Sequence, residues 1–367
     1  MNALEVLREL VAIDSTSARS NLPMIEALER RARSLGFSTR RLSWTDAAGV
    51  PKANLVASRG GERGGLALVG HTDCVPFDPA WHSALKAEER EGKLFARGAA
   101  DTKAFLAAAL EAASRTTASP LQLVFTADEE VGCLGARRLV DEGALKPRYA
   151  IVGEPTRLIP VLGHKGYCLA EVAVHGAEGH SAFPETGASA ILAAARLLAE
   201  IERLSGELQR ERDDRFSPAY TTLNVGLIQG GKAKNIIPGL CTLTVEWRPL
   251  PSQDLRDVLR RIEDACARLA TDRIRFEVTP VRLDKGVLAP PDAQIVHFVR
   301  NASTRGPETI PFGTELPYLT AMGAEACVFG PGDIRVAHRT GEFVPLDELR
   351  KAVDVLAAAI GRFASNP

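Results

Sequence analysis

Residues 121–126, Leu-Gln-Leu-Val-Phe-Thr, form an almost unbroken apolar run that empties through Ala127 into three consecutive acids, Asp128, Glu129 and Glu130. A run this short and this apolar suits a strand covered on both faces, the condition of a parallel sheet flanked by helices. Open sheets of that kind bind their ligands just beyond the carboxyl ends of the strands. Taken alone, the acids read first as a solvated turn before a helix. Two further runs break that ambiguity. Leu66-Ala-Leu-Val-Gly70 ends in His71-Thr-Asp73, and Tyr149-Ala-Ile-Val-Gly153 ends in Glu154-Pro155. Three strand ends thus deliver imidazole and carboxylate groups to what should be one edge of one sheet.

The surrounding pattern supports an α/β fold. Helices are expected over 3–12 and 22–36, then strands and helices alternate from 52 to 170: strands at 54–58, 66–70, 121–126 and 149–153, helices at 102–114 and 134–141. The glycine-rich segment Gly60-Gly-Glu-Arg-Gly-Gly65 has no helix after it, so it reads as a hairpin loop and not a phosphate cradle. From Tyr167 the pattern changes to alternating strands at 167–175, 221–227, 241–248 and 273–278 with helices at 188–204 and 255–270. That β-α-β-β-α-β order is the ferredoxin-like split motif. After Pro280 the chain resumes a helix at 293–301, a strand at 326–329 and a helix at 346–363. The expected architecture is a doubly wound, mainly parallel α/β catalytic domain over 1–166 and 281–367. An α+β ferredoxin-like domain, over 167–280, is inserted into it. A chain of 367 residues is long enough to need two cores.

Composition removes several classes of partner. Lys and Arg number 45 against 46 Asp and Glu, a formal net charge of -1, so there is no electrostatic footprint for nucleic acid or an anionic membrane. No apolar run approaches the roughly 18 residues of a membrane span, and the first residues lack the pattern of a signal peptide. The six cysteines are scattered without a C-x-x-C pair, which suits reduced thiols and a cytoplasmic location. Cys74, beside His71, has no evident base and is not read as a nucleophile.

With seven histidines each can be weighed separately. On an extended strand end, His71 and Asp73 point the same way, so one can ligate and the other orient. Asp101, before Thr102-Lys103, reads alone equally as a helix N-cap. His338 follows Gly330-Pro-Gly-Asp-Ile-Arg-Val-Ala in a loop after a strand, whereas His297 reads as structural and His82 and His175 as surface positions. Together His71, Asp101, Glu130, Glu154 and His338 make two imidazoles and three carboxylates, a donor set without thiolate that suits Zn²⁺, Co²⁺ or Mn²⁺. The hydrolase signatures G-x-S-x-G, H-E-x-x-H and Walker A are absent.

The ordered motifs Gly70-His-Thr-Asp-Cys-Val-Pro76, Arg97-Gly-Ala-Ala-Asp-Thr-Lys103, Thr126-Ala-Asp-Glu-Glu-Val-Gly132, Gly153-Glu-Pro-Thr156 and Gly179-His-Ser-Ala182 resemble one family. It is the aminoacylase / carboxypeptidase G / succinyl-diaminopimelate desuccinylase family of dinuclear zinc amidohydrolases, and the likeness runs from residue 4 to 360. Gly163-His-Lys-Gly166, Pro311-Phe-Gly-Thr-Glu-Leu-Pro317 and Gly330-Pro-Gly-Asp-Ile334 look most like its branch that deacetylates N-acetylornithine or N-acetylcitrulline. Ala104, where many members have Gly, and Arg339-Thr340 after His338 depart from the pattern. The resemblance implies two divalent ions, Zn²⁺ or Co²⁺, bridged by Asp101, with Glu130 and His338 on one and His71 and Glu154 on the other. It further implies Glu129 as general base, Asp73 as partner of His71, and a cis peptide between Asp101 and Thr102. His180 is implied to reach the site of a partner subunit in a homodimer, and Asn235 and Arg248 to hold the substrate carboxylate. Lys165, Thr314 and Glu315 lie in the branch motifs and are expected to bind substrate.

The implied reaction is deacetylation of a small N-acetyl amino acid, in arginine biosynthesis. A dipeptidase or broad aminoacylase would use the same metal site. A metal-binding scaffold without activity is a rival of another class; intact Glu129 beside all five ligands argues against it.

Overall fold

The structure, a computed structural model, describes residues 1–290, 292–306 and 308–364. The chain divides into two compact units: Met1–Gly163 with Ala289–Glu308 and Thr314–Pro367, and His164–Leu288 with Thr309–Gly313.

The central sheet of the first unit runs Ser38–Thr45, Pro51–Arg59, Leu121–Thr126, Leu66–His71, Tyr149–Val152, Glu325–Val328, Val161–His164. Its middle is parallel: Leu66–His71 pairs in that sense with Leu121–Thr126 and Tyr149–Val152, which in turn pairs with Glu325–Val328. Every residue of those first three strands is buried, as expected of strands covered on both faces. Ala104–Ser114, mostly alanine and leucine, packs against the N-terminal helix Ala3–Val11 and the last helix Leu346–Phe363. The small side chains let these three helices approach closely.

Gly60–Gly65 is not a hairpin loop. Leu121–Thr126 lies between Pro51–Arg59 and Leu66–His71, antiparallel to the first and parallel to the second, so the glycines carry the chain across the end of an intervening strand. A Cβ on Gly65, at φ 60°, would stand 1.9 Å from the Pro120 carbonyl oxygen. Glycine here serves that close crossing.

The second unit is a four-stranded antiparallel sheet in the order Thr222–Gly230, Leu240–Arg248, Tyr167–His175, Arg275–Asp284. Helices Ala190–Leu208 and Asp257–Leu269 cover one face, giving the split β-α-β-β-α-β motif. Its limits differ from the expected 167–280. Pro280 does not end the last strand: it lies beside a bulge on an edge strand, where a missing N–H is tolerated, and pairing continues to Asp284 opposite Tyr167. Five short or edge elements carried too little periodicity to be read from sequence: strand Ser38–Thr45, helix Leu316–Ala321, and the three strands Glu88–Arg90, Lys93–Phe95 and Phe343–Pro345 of a small sheet.

Candidate metal centre and active site

His71 closes its strand, and Glu154 follows the end of Tyr149–Val152. Each is preceded by a glycine pressed on the helix below: a Cβ on Gly153 would meet the Phe105 ring at 2.1 Å, and one on Gly70 would meet Leu106 at 2.7 Å. The His71 Nδ1 lies 3.0 Å from the Asp73 main-chain oxygen, which makes Nδ1–H the donor and turns Nε2 towards Asp101, 3.0 Å from its Oδ1.

Asp101 is not a helix N-cap. The helix starts at Ala104, and the Asp101–Thr102 peptide is cis, as the resemblance implied. Its loop is held by Glu342, a wholly buried residue that accepts from Arg97 Nη1 at 2.6 Å, Ala100 N at 3.0 Å and Asp101 N at 3.1 Å. The Asp101 carboxylate is thereby exposed to both imidazoles, with Oδ2 3.2 Å from His338 Nε2. His338, at φ 60°, also places Nε2 3.1 Å from Glu130 Oε1.

Two triads result, His71–Asp101–Glu154 and Asp101–Glu130–His338, whose donor atoms lie within 4.8 Å of one another in each set. Asp101 belongs to both. The electrostatics is that of a cluster short of cations. Burial raises the pKa of Glu154, and Asp101, Glu129 and Glu130 raise it further against the pull of His71. Burial and Asp101 likewise raise Glu130 against His338. Glu129 is pushed up to about 8 by burial and by Glu130, Glu315 and Asp73, with His71 opposing. His338 is raised to about 10 by its hydrogen bonds to Asp101 and Glu130. Nitrogen and oxygen donors gathered around surplus negative charge fit divalent cations.

Asp73 keeps ion-pair contact with His71 and makes further contacts of its own. Its carboxylate stands 3.6 Å from His71 Nδ1 and also accepts the main-chain N–H groups of Glu129 at 3.1 Å and Glu130 at 3.3 Å, with the Ser17 hydroxyl at 2.8 Å. It therefore anchors the acidic turn, while its carbonyl orients the imidazole. The side chain of Glu129 projects beside the triads, where Cys133 Sγ donates to its Oε1 at 3.4 Å.

The structure puts Thr314 and Glu315 in the first unit and Lys165, His180, Asn235 and Arg248 in the second. Thr314 Oγ1 accepts from Leu316 N at 3.1 Å, and Glu315 is buried with neither carboxylate oxygen hydrogen-bonded. Burial pushes Glu315 up to about 7. Lys165 is buried and donates to the Tyr220 carbonyl at 2.5 Å; burial and neighbouring Arg248 lower it to about 8. Arg248 gives Nε to Glu246 at 2.8 Å and stacks 4.1 Å over Tyr167. That ion pair matches a plain surface role, yet it engages only one edge of the fork. His180 is exposed in a short ladder with Ile236, and its Nδ1 accepts from Ala182 N at 3.1 Å; the Asn235 carbonyl accepts from Ser181 N at 3.1 Å.

Lys52, Asn54 and Glu342 were missed by sequence reasoning. Lys52 and Asn54 interrupt the apolar run Pro51-Lys-Ala-Asn-Leu-Val-Ala57, a usable signal, and both prove buried. Glu342 carries no local signal, since its partners lie more than 240 residues away.

With this fold and these triads, the chain belongs to peptidase family M20/M25/M40, whose family model matches residues 67–362. Among curated proteins it is 53% identical over 368 residues to an acetylornithine deacetylase of Myxococcus xanthus, covering 98% of this chain and 97% of that one. It is 34% identical over 376 residues to the acetylornithine deacetylase of Proteus mirabilis, covering 98% and 96%. Among solved structures, a tripeptidase from Staphylococcus aureus superposes with a TM-score of 0.82 at 22% identity, covering 100% and 98% of the two chains. An M20 family metallo-carboxypeptidase from Sulfolobus solfataricus has a TM-score of 0.76 at 18% identity, covering 98% of each. At those identities the structures share the fold.

Proposed function

We propose that this protein is a metal-dependent hydrolase that removes the acetyl group from N-acetylornithine or N-acetylcitrulline, a step of arginine biosynthesis. The observation that carries the reading is the pair of triads sharing Asp101 beside Glu129, in a chain 53% identical over nearly its whole length to a protein named acetylornithine deacetylase.

His71, Asp101 and Glu154 would hold one Zn²⁺ or Co²⁺, and Asp101, Glu130 and His338 a second. Ions there would polarise the amide carbonyl and acidify the attacking water. Glu129 takes the proton of that water as oxygen adds to the acyl carbon. It then returns the proton to the amide nitrogen as the C–N bond breaks, releasing acetate and a free amine. Asp73, by holding the main chain of Glu129 and Glu130, keeps base and ligand in fixed relation. Arg248, with both Nη groups available beside its Nε contact, suits a substrate carboxylate in bidentate fashion, and Asn235 assists it. His180 donates to the developing oxyanion in a partner subunit's site, and Lys165, Thr314 and Glu315 bind the rest of the substrate. The apolar side chains Leu227 and Ile228 are exposed on the edge strand Thr222–Gly230, which supports a homodimer through the second unit. Six free, buried cysteines support a cytoplasmic location, and among the described residues no helix is long and apolar enough to cross a membrane.

Acetate release from a panel of N-acetyl amino acids, beside a dipeptide panel and with and without chelator, tests the reading. The two named substrates should lead the panel, and Glu129→Gln should lower kcat by about 10²- to 10⁴-fold at unchanged metal content. Preferred cleavage of dipeptides, or near-normal turnover by Glu129→Gln, would overturn it.

A further inference from the structure

The turn that presents Glu129 and Glu130 begins at Asp128, a residue without a part in the reaction above. Asp128 is 2% exposed and sits at φ 58°, in the left-handed region that few residues other than glycine enter. Its carboxylate accepts from Lys52 Nζ at 2.7 Å, and both side chains are buried. Lys52 donates as well to the Ser17 carbonyl, in the segment whose hydroxyl reaches Asp73. Around this pair the start of the turn is tied down by further hydrogen bonds. The Leu134 N–H donates to the Asp128 carbonyl at 3.0 Å, the Ala127 N–H to Asn54 Oδ1 at 3.0 Å, and Asn54 Nδ2 to the Gly135 carbonyl at 2.9 Å.

A buried ion pair is a poor source of stability, because desolvating two charges cancels most of their attraction; what it can supply is one geometry in place of several. That geometry matters here. The left-handed step at Asp128 turns the next two N–H groups onto Asp73 and so sets the directions of the two glutamate side chains. We propose that Lys52 and Asp128 are positioning residues for Glu129 and Glu130, their ion pair fixing the bend from which base and ligand are aimed. The proposal rests on Glu129 being the base, and its test separates the two.

Three variants of the full-length metal-loaded protein decide it: Lys52→Met/Asp128→Asn, Asp128→Gly and Glu129→Gln. The double variant removes both charges, so neither is stranded, and keeps a side chain that tolerates the left-handed region. Asp128→Gly supplies that backbone conformation without the carboxylate. Misplacement of a reacting group by about 1 Å can cost 10²-fold, so kcat should fall about 10- to 100-fold in both, with KM within about threefold of wild type. In the metal-free double variant the Glu129 and Glu130 amides should exchange hydrogen at least tenfold faster, while those of Leu121–Thr126 stay unchanged. Should the double variant fail to fold, Asp128→Gly alone decides by the same readouts. Wild-type kcat and exchange in a folded variant, with Glu129→Gln inactive, would overturn the positioning role and leave the base intact. Near-normal turnover by Glu129→Gln would instead overturn the base, and the positioning role with it.

Discussion

Replacing Glu342 with glutamine tests how the Asp101 loop is held. Three donors converge on this wholly buried carboxylate: Arg97 Nη1 on one oxygen, the Ala100 and Asp101 N–H groups on the other. In Glu342→Gln one oxygen becomes an NH₂ that must face a donor. Whichever way it faces, glutamine is neutral, so the buried ion pair with Arg97, itself 2% exposed, is broken, at about 3–5 kcal/mol. If the NH₂ faces the two amides, each of these is stranded as well, at about 1–3 kcal/mol apiece. The loss should therefore be at least about 3–5 kcal/mol. The variant should also bind metal about 10- to 100-fold more weakly, as for other residues that orient a ligand from behind. Urea unfolding of the metal-free protein measures the first quantity and competition with a chelator the second. A stability loss under about 1 kcal/mol together with unchanged metal affinity would refute the argument that Glu342 holds Asp101 in place.

Gly153→Ala would drive a methyl into the Phe105 ring, at 2.1 Å, and should destabilise the protein by about 1–3 kcal/mol while displacing Glu154. Partial recovery of metal affinity in Gly153→Ala/Phe105→Leu is the check, and no recovery would mean that the ring is not the obstacle. Removing divalent ions leaves the buried acids repelling one another, so the thermal midpoint should fall. Restoring Zn²⁺ or Co²⁺ to 100 times its Kd should return about 2.7 kcal/mol, and a midpoint indifferent to metal would contradict the assignment of the triads. His164, buried with Nδ1 2.7 Å from the Lys165 carbonyl and Nε2 unpartnered, is lowered by burial to about 4. Since the unfolded chain binds this proton near pH 6.5 and the folded one does not, stability is full above that pH. It should fall by about 3 kcal/mol as pH drops towards 4. A His164→Gln variant should show a flatter profile in urea unfolding between pH 7 and 4.5, and an equal slope would exclude His164 as the cause.

Much of the site was legible because strand ends are a local property. An apolar run that stops at Gly70-His71, at Thr126 before Glu129 and Glu130, or at Gly153-Glu154 announces both a buried strand and what stands at its carboxyl end, and a parallel sheet places all such ends on one edge. Spacing alone also separated the two sheet types, since period-two alternation in Tyr167–His175 needs one covered face while Leu66–His71 needs two.

What the chain order could not convey was which buried groups face one another. The insertion of Leu121–Thr126 between two strands joined by Gly60–Gly65 is a choice among sheet orders that local pattern leaves equal. Likewise, Asp73 could serve His71 or the amides beyond the end of the neighbouring strand. Glu342 reaches Asp101 only because the small sheet of Phe343–Pro345 and Lys93–Phe95 brings residues far apart in sequence together. A hydrogen bond reads distance in space, and burial makes each unpaired donor costly, so tertiary packing selects the partner. Residue type and periodicity therefore determined which atoms were available for the chemistry. The fold alone decided that Lys52, Asp73 and Glu342 would hold the turns that carry the proposed ligands and the proposed base.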